Sequence, residues 1–140
     1  MFIHNSHKRI RYGETDQMGY FYYGNYGQLY EIGRAEAIRS LGITYRELEE
    51  DLKIMMPVLH TESRFKGPIL YDELITIRTI LKNMPTKLIH FYHEIFNESN
   101  ELIHTGSVKL FFIDMDTQKR ISAPVYLTEK LRPYFEEKDI

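Results

Sequence analysis

One segment of this chain is written in a helical period and most of the chain behind it in a strand period, and that order limits the folds open to it. Over residues 25–41 the apolar or small residues Tyr26, Leu29, Tyr30, Gly33, Ala37, Ile38 and Leu41 recur at spacings of three and four. Glu31, Arg34, Glu36 and Arg39 fall largely on other faces. The pattern predicts an amphipathic helix of about four to five turns, stopped at Gly42. Gly27 and Gly33 lie inside it, and each weakens a helix by roughly 1 kcal/mol relative to alanine. They predict that another backbone passes close to the helix, as a sheet wrapped round it would.

Ahead of the helix, Ile10 and Tyr12 alternate with Arg9 and Arg11, which predicts a short strand over residues 8–12 ended by Gly13. Behind it, Thr44 and Glu47 form a capping-box pattern and predict a short second helix over 45–52. Residues 54–65, 73–81, 88–96 and 102–113 are rich in Ile, Leu, Phe, Tyr, Val and Thr, which favours strands. Turn signals separate them at Lys66-Gly67-Pro68, at Asn83-Met84-Pro85, over 97–100 and over 114–117. Strands joined consecutively by short turns predict an antiparallel meander rather than a parallel sheet with helical crossovers. Pro124 and Thr128 bracket a last helical stretch within 125–134. The expected fold class is α+β, a single domain over residues 1–140.

Composition narrows the function. With 43% hydrophobic residues, the 140-residue chain has the apolar mass for one core. A net charge of -2, with Lys and Arg scattered rather than clustered, argues against nucleic acid and membrane surfaces as partners. No stretch has the length of a signal peptide or of a membrane span. The absence of cysteine excludes disulfides, thiolate zinc sites and a cysteine nucleophile, and the expected location is the cytoplasm. No serine-nucleophile motif is present either. Hydrolytic chemistry in this chain must rest on a carboxylate, a backbone dipole and water.

Asp16 is the candidate carboxylate. It stands in the run YGETDQMGYFYYGNYGQLY, from Tyr12 to Tyr30, in a glycine-punctuated loop just before the aromatic segment that turns helical. An Asp in such a loop also serves as a turn residue or cap, so its position alone does not assign it. The surrounding pattern is more specific. An aromatic residue, Tyr12, is followed four positions on by the acid of a Thr15-Asp16 pair, then by the run Gly19, Tyr20, Phe21, Tyr22, Tyr23, then by Asn25-Tyr26.

In these residues, and in the order of strand, Asp loop, helix and meander over nearly its whole length, the chain resembles the hot-dog-fold acyl-CoA thioesterases of the 4-hydroxybenzoyl-CoA thioesterase type, in particular the branch associated with the Tol-Pal cluster. The resemblance implies a long central helix wrapped by a curved antiparallel sheet of about five strands. It implies an acyl-CoA substrate, and no cofactor. Asp16 is then expected to act on the thioester carbonyl, as a nucleophile forming a mixed anhydride or as a base directing water. Cleavage builds negative charge on the carbonyl oxygen, which free N–H groups at a helix start stabilise. Tyr23 and Gly24 are the expected donors, with Gly24 letting substrate approach the backbone. Tyr12, Gly19, Tyr22, Asn25 and Tyr26 are expected to contact substrate.

Many members of that branch carry histidine seven positions after the acid, where this chain has Tyr23. A tyrosine, with a reference pKa of about 10, donates a hydrogen bond at neutral pH but accepts a proton poorly. The replacement leaves the backbone N–H of residue 23 in place and keeps a non-catalytic acyl-CoA-binding subunit as an alternative. An acyl carrier protein thioesterase is a second alternative.

Other residues receive structural readings. Glu31 and Glu36 are acids on the helix, but Arg34 and Arg39 stand at ion-pair spacing from them. His90 and His93 invite a metal, yet an odd separation in a strand points them to opposite faces, so no metal site is expected. The phosphates of coenzyme A call for local cations. Lys82 and Lys87, flanking the Asn83-Met84-Pro85 turn, are the expected pair, and Arg64 and Lys66 are weaker candidates. Residues 107–113 look too apolar on both faces to stay open to water, so a homodimer or homotetramer with sites between subunits is expected.

Overall fold

The computed structural model describes residues 1–136; residues 137–140 of the expected domain lie outside the described residues. Ten elements succeed one another: β1 (Phe2–Arg9), α1 (Tyr26–Ser40), α2 (Tyr45–Glu50), β2 (Ile54–Met55), β3 (Val58–Phe65), β4 (Leu74–Leu81), β5 (Leu88–Phe96), β6 (Leu102–Asp114), β7 (Arg120–Ile121) and α3 (Val125–Leu131). The sheet runs β1-β4-β5-β6, all antiparallel, with β2 and β3 along the far side of β6. This is the hot-dog arrangement, a long helix in the hollow of a curved antiparallel sheet.

The helix forms where its periodicity places it. Tyr26, Leu29, Tyr30, Gly33, Ala37 and Ile38 are its buried face, and Gly42 ends it with φ of +88°. They pack on the inward residues of β4 and β5, Ile75, Ile77, Ile89, Phe91 and Ile95, which alternate with half-exposed outward neighbours. Gly33 is the point of closest approach. A Cβ there would stand 2.4 Å from Thr79 Oγ1 and 2.9 Å from Ile77 Cγ2. The capping box of α2 forms as expected, with Glu47 N–H donating to Thr44 Oγ1 and Thr44 N–H to Glu47.

Four expectations are corrected. The first strand is Phe2–Arg9, paired over its whole length with β4, and Tyr12 lies instead in a 3-10 turn, 78% exposed. The strands are not a simple meander: β3 pairs with β6, not with its successor β4, so residues 66–73 cross the end of the sheet. Gly27 meets nothing within 4 Å of its would-be Cβ, so no backbone passes close there. The strongly apolar stretch 107–113 is interior to the sheet, flanked by β5 and β3, with Arg120 stacked over Phe111 at 4.3 Å. Of the two edge strands, β1 and β3, it is β3 that is exposed at every residue.

The two glycines of α1 therefore respond to substitution with opposite signs. Gly33→Ala should destabilise the fold by about 2 kcal/mol through overpacking, and Gly27→Ala should stabilise it by about 0.5–1 kcal/mol. Chemical denaturation of both variants measures this, and equal effects would contradict the packing described.

Candidate active site

The Asp16 loop is a short hairpin built by its own backbone. Asp16 and Tyr20 bond N–H to carbonyl at 2.8 Å, Gly19 N–H returns to the Asp16 carbonyl at 3.0 Å, and Thr15 bridges to Phe21. Gly19 adopts φ of +80°, which closes the turn and favours glycine. The crossing segment pins this hairpin. Phe21 N–H donates to the Ile69 carbonyl at 2.7 Å, and Tyr20 bridges to Leu70.

Asp16 is half-buried and its two oxygens differ. Oδ1 accepts the N–H groups of Met18 at 2.9 Å and Tyr20 at 3.2 Å. That is the turn-residue role. Oδ2 has no partner among the described residues, so the carboxylate keeps one oxygen for something else.

Beyond Phe21 the chain makes a 3-10 turn, Tyr23–Asn25, that runs directly into α1. Asn25 N–H is taken by the Tyr22 carbonyl and Tyr22 N–H by the Glu14 carbonyl. The N–H groups of Tyr23 and Gly24 find no acceptor among the described residues, and they sit at the positive end of the α1 dipole. Asp16, Tyr20, Phe21, Tyr23 and Tyr26 share one cavity of about 390 Å³, closed on the far side by Phe65 and residues 66–69. On the other side of the loop, Tyr12, Asp16, Gly19 and Tyr71 line a wider recess of about 1050 Å³.

The structure thus brings Asp16, Tyr23 and Tyr26 together, with Gly24 and Asn25 adjoining in the same turn, and puts Tyr12 and Gly19 on the outer recess. At Gly24 the close neighbour is protein: the Tyr22 ring lies 2.6 Å from a would-be Cβ, so the glycine makes room for that ring. The expected cations separate. Lys82 extends over the Tyr92 ring at 3.9 Å. Lys87 lines a different cavity of about 460 Å³ with Leu59, Leu88 and Arg120. Lys66 belongs to the Asp16 cavity. On the helix, Glu36 pairs with Arg39 at 3.5 Å, as expected, whereas Glu31 and Arg34 form no ion pair among the described residues.

A group of buried polar residues behind the cavity was not anticipated. His93 (1% exposed) and His104 (0%) both point into the core; His90, as expected, faces the opposite side of β5 and is only half-buried. The signal was available: His93 stands in register with the apolar series Ile89, Phe91 and Ile95. Tyr30 Oη lies 2.5 Å from His104 Nε2 and 2.6 Å from Ser63 Oγ, and Thr79 Oγ1 lies 3.1 Å from His93 Nδ1. The His104 ring stacks on Tyr26 at 4.1 Å. Burial pushes His104 down to about 4. Burial, then the charges of Arg34 and His104, push His93 down to about 3. Burial raises Tyr26 to about 12, so its hydroxyl stays protonated.

Comparison with known proteins agrees with the fold. The family model described as the thioesterase-like superfamily matches residues 10–131. YneP of Bacillus subtilis (strain 168), to which acyl-CoA thioesterase activity is ascribed by name, is 33% identical over 122 residues, 85% of this chain and 87% of its own. The crystal structure of a DHNA-CoA thioesterase from Staphylococcus aureus superposes with a TM-score of 0.82 at 34% identity, covering 96% of this chain and 85% of that one. A 4-hydroxybenzoyl-CoA thioesterase mutant complexed with 4-hydroxybenzoyl-CoA shares the fold, with a TM-score of 0.83 at 19% identity over 93% of this chain and 99% of that one.

The buried histidines give the fold an acid sensitivity. Their folded values lie below the ordinary 6.5, so the unfolded chain binds protons that the folded chain refuses. Their stabilisation is complete above about pH 6.5 and is lost as pH falls toward the folded values, at about 1.4 kcal/mol per pH unit for each histidine. Denaturation between pH 7 and 4.5 should show a fall of several kcal/mol; a flat profile would contradict neutral burial of both rings.

Proposed function

The chain belongs to the thioesterase-like superfamily, and on that premise we propose that it hydrolyses acyl-CoA thioesters to the free acid and CoA, with Asp16 as the acting carboxylate. One observation carries the reading: Asp16, with its unpartnered Oδ2, and Tyr23, whose N–H and that of the next residue Gly24 are unpartnered among the described residues, line one cavity. A thioester carbonyl placed between them would meet the carboxylate at carbon and the helix start at oxygen. Donors of that kind, removed singly in other hydrolases, cost roughly 3 kcal/mol of barrier.

Two routes serve this geometry. Asp16 takes a proton from a water that attacks the carbonyl carbon, the C–S bond breaks, and the CoA thiolate takes up the proton. Alternatively the carboxylate attacks directly, displaces the thiolate, and water hydrolyses the mixed anhydride. Neither needs a cofactor, and neither needs a base at residue 23, where Tyr23 serves through its backbone. The pattern of Tyr12, Thr15-Asp16 and Asn25-Tyr26 favours placement near the Tol-Pal-associated branch.

The aromatic walls, Tyr20, Phe21, Tyr23, Tyr26 and Phe65, suit a flat acyl group, and likeness to a DHNA-CoA thioesterase supports an aromatic one. For the CoA phosphates we assign Lys87 together with Arg120, which line one cavity, and drop Lys82 to a stabilising role on Tyr92. The exposed edge β3, with Val58, Leu59 and Phe65 each about half exposed, is assigned to pairing with a second copy. Antiparallel pairing there would set the Lys87 end of one copy beside the Phe65 end of the other. A chain without cysteine fits the cytoplasm.

Asp16→Asn is the informative variant, because an amide oxygen still accepts the Met18 and Tyr20 N–H groups and so preserves the loop. Thiol release from a panel of aromatic and aliphatic acyl-CoAs should fall at least 100-fold in kcat with the melting temperature unchanged. Wild-type turnover in that variant would sink the assignment. Lys87→Ala with Arg120→Ala should raise KM about tenfold and leave kcat near its normal value. Sedimentation should show a dimer or larger at micromolar concentration; a stable monomer would contradict the assignment of β3.

A further inference from the structure

We infer that Tyr30 and His104 are positioning residues: the hydrogen-bonded chain from Ser63 through Tyr30 to His104 fixes the start of α1, and with it the N–H groups of Tyr23 and Gly24, relative to Asp16. The inference rests on the roles given to those three residues above.

The chain crosses the helix–sheet interface. Its outer end, Ser63, is an exposed residue of the edge strand β3. Tyr30, one turn beyond Tyr26 on α1, bonds Ser63 on one side and His104 on the other. The sheet is shaped to receive it, since a Cβ on Gly106 would stand 2.2 Å from the Tyr30 hydroxyl. A tyrosine hydroxyl fills the space that any larger residue at 106 would occupy, so helix and sheet register at that atom.

From His104 the contact passes to the cavity wall. The imidazole lies against the Tyr26 ring with planes 24° apart, and Phe21 and Phe65 meet the same ring edge-on at 5.2 and 4.9 Å. Tyr26 is the first residue of α1, directly after the turn carrying the free N–H groups. It is therefore held on three sides, one of them by a ring whose own orientation the Tyr30 hydroxyl sets. Neither Tyr30 nor His104 lines the Asp16 cavity, so they act through Tyr26 rather than on substrate.

A purely structural role fits less well. His104 Nδ1 is buried without a partner among the described residues, and an apolar pair of similar shape would fill the site without that orphan. A polar network kept inside an apolar core at such a cost defines geometry more sharply than apolar packing does. Burial keeps both groups uncharged near neutral pH, so the chain holds there without titrating.

The test separates geometry from stability. Tyr30→Phe alone strands the His104 Nε2 and should lower the melting temperature; Tyr30→Phe with His104→Leu removes both partners and should recover most of it. In the double variant kcat should remain about tenfold down with KM within twofold, and the Tyr23 and Gly24 amide resonances should shift. Wild-type kcat with unmoved amides in the double variant would overturn the inference. If the double variant fails to fold, Ser63→Ala replaces it: a kcat about threefold down with shifted amides supports the role, and no change in either overturns it. If the wild-type protein releases no thiol from any acyl-CoA, the thioesterase reading falls, and the amide shifts alone decide the positioning role.

Discussion

The seating of α1 on the sheet at Gly33 and at Gly106 is the contact on which the rest of the molecule depends. At Gly33 the helix backbone approaches Thr79 and Ile77 closer than any side chain permits, and at Gly106 the sheet admits the Tyr30 hydroxyl. These two contacts fix how deep the helix lies and where it begins along the strands. Its beginning sets where the turn before it lies. The turn Tyr23–Asn25 ends up facing the Asp16 hairpin because the crossing segment stitches that hairpin to the sheet end through Ile69 and Leu70. A helix displaced by one turn, about 5 Å, would carry Tyr23 and Tyr26 out of the cavity they share with Asp16.

Much of this was legible in the residues. The helix followed from its three-and-four spacing because one face has a single apolar environment to meet, and 88–96 matched β5 to the residue because strict alternation records a sheet with one buried face. The topology was less legible. Strand period says which residues pair with a neighbour but not which neighbour, so the passage of residues 66–73 across the sheet end, leaving β3 beyond β6, was out of reach. Gly33 and Gly27 look alike in sequence and differ only in what stands opposite them. Residues 8–12 misled because Ile10 is buried at the close of β1 while Tyr12 already belongs to the next turn.

The site was legible in part for the same reason. Asp16, Tyr23, Gly24 and Tyr26 are close along the chain, and a short segment that turns into a helix keeps its residues together. Phe65 and the Ser63–Tyr30–His104 chain come from distant segments, with Ser63 and His104 standing 33 and 74 residues from Tyr30, and no local pattern joins them. The cations show the limit of spacing: Lys82 and Lys87 flank one turn, yet one covers Tyr92 and the other shares a cavity with Arg120.

The two oxygens of Asp16 are differently placed. Oδ1 builds the loop, and Oδ2, without a partner among the described residues, is the oxygen to which the proposed chemistry is assigned. The most direct measurement is a crystal structure of the Asp16→Asn protein with an intact aromatic acyl-CoA bound. The thioester carbonyl oxygen should lie about 3 Å from the N–H groups of Tyr23 and Gly24, with its carbon facing residue 16. A thioester lying away from residue 16, or with its carbonyl turned from the start of α1, would contradict the assignment of the site.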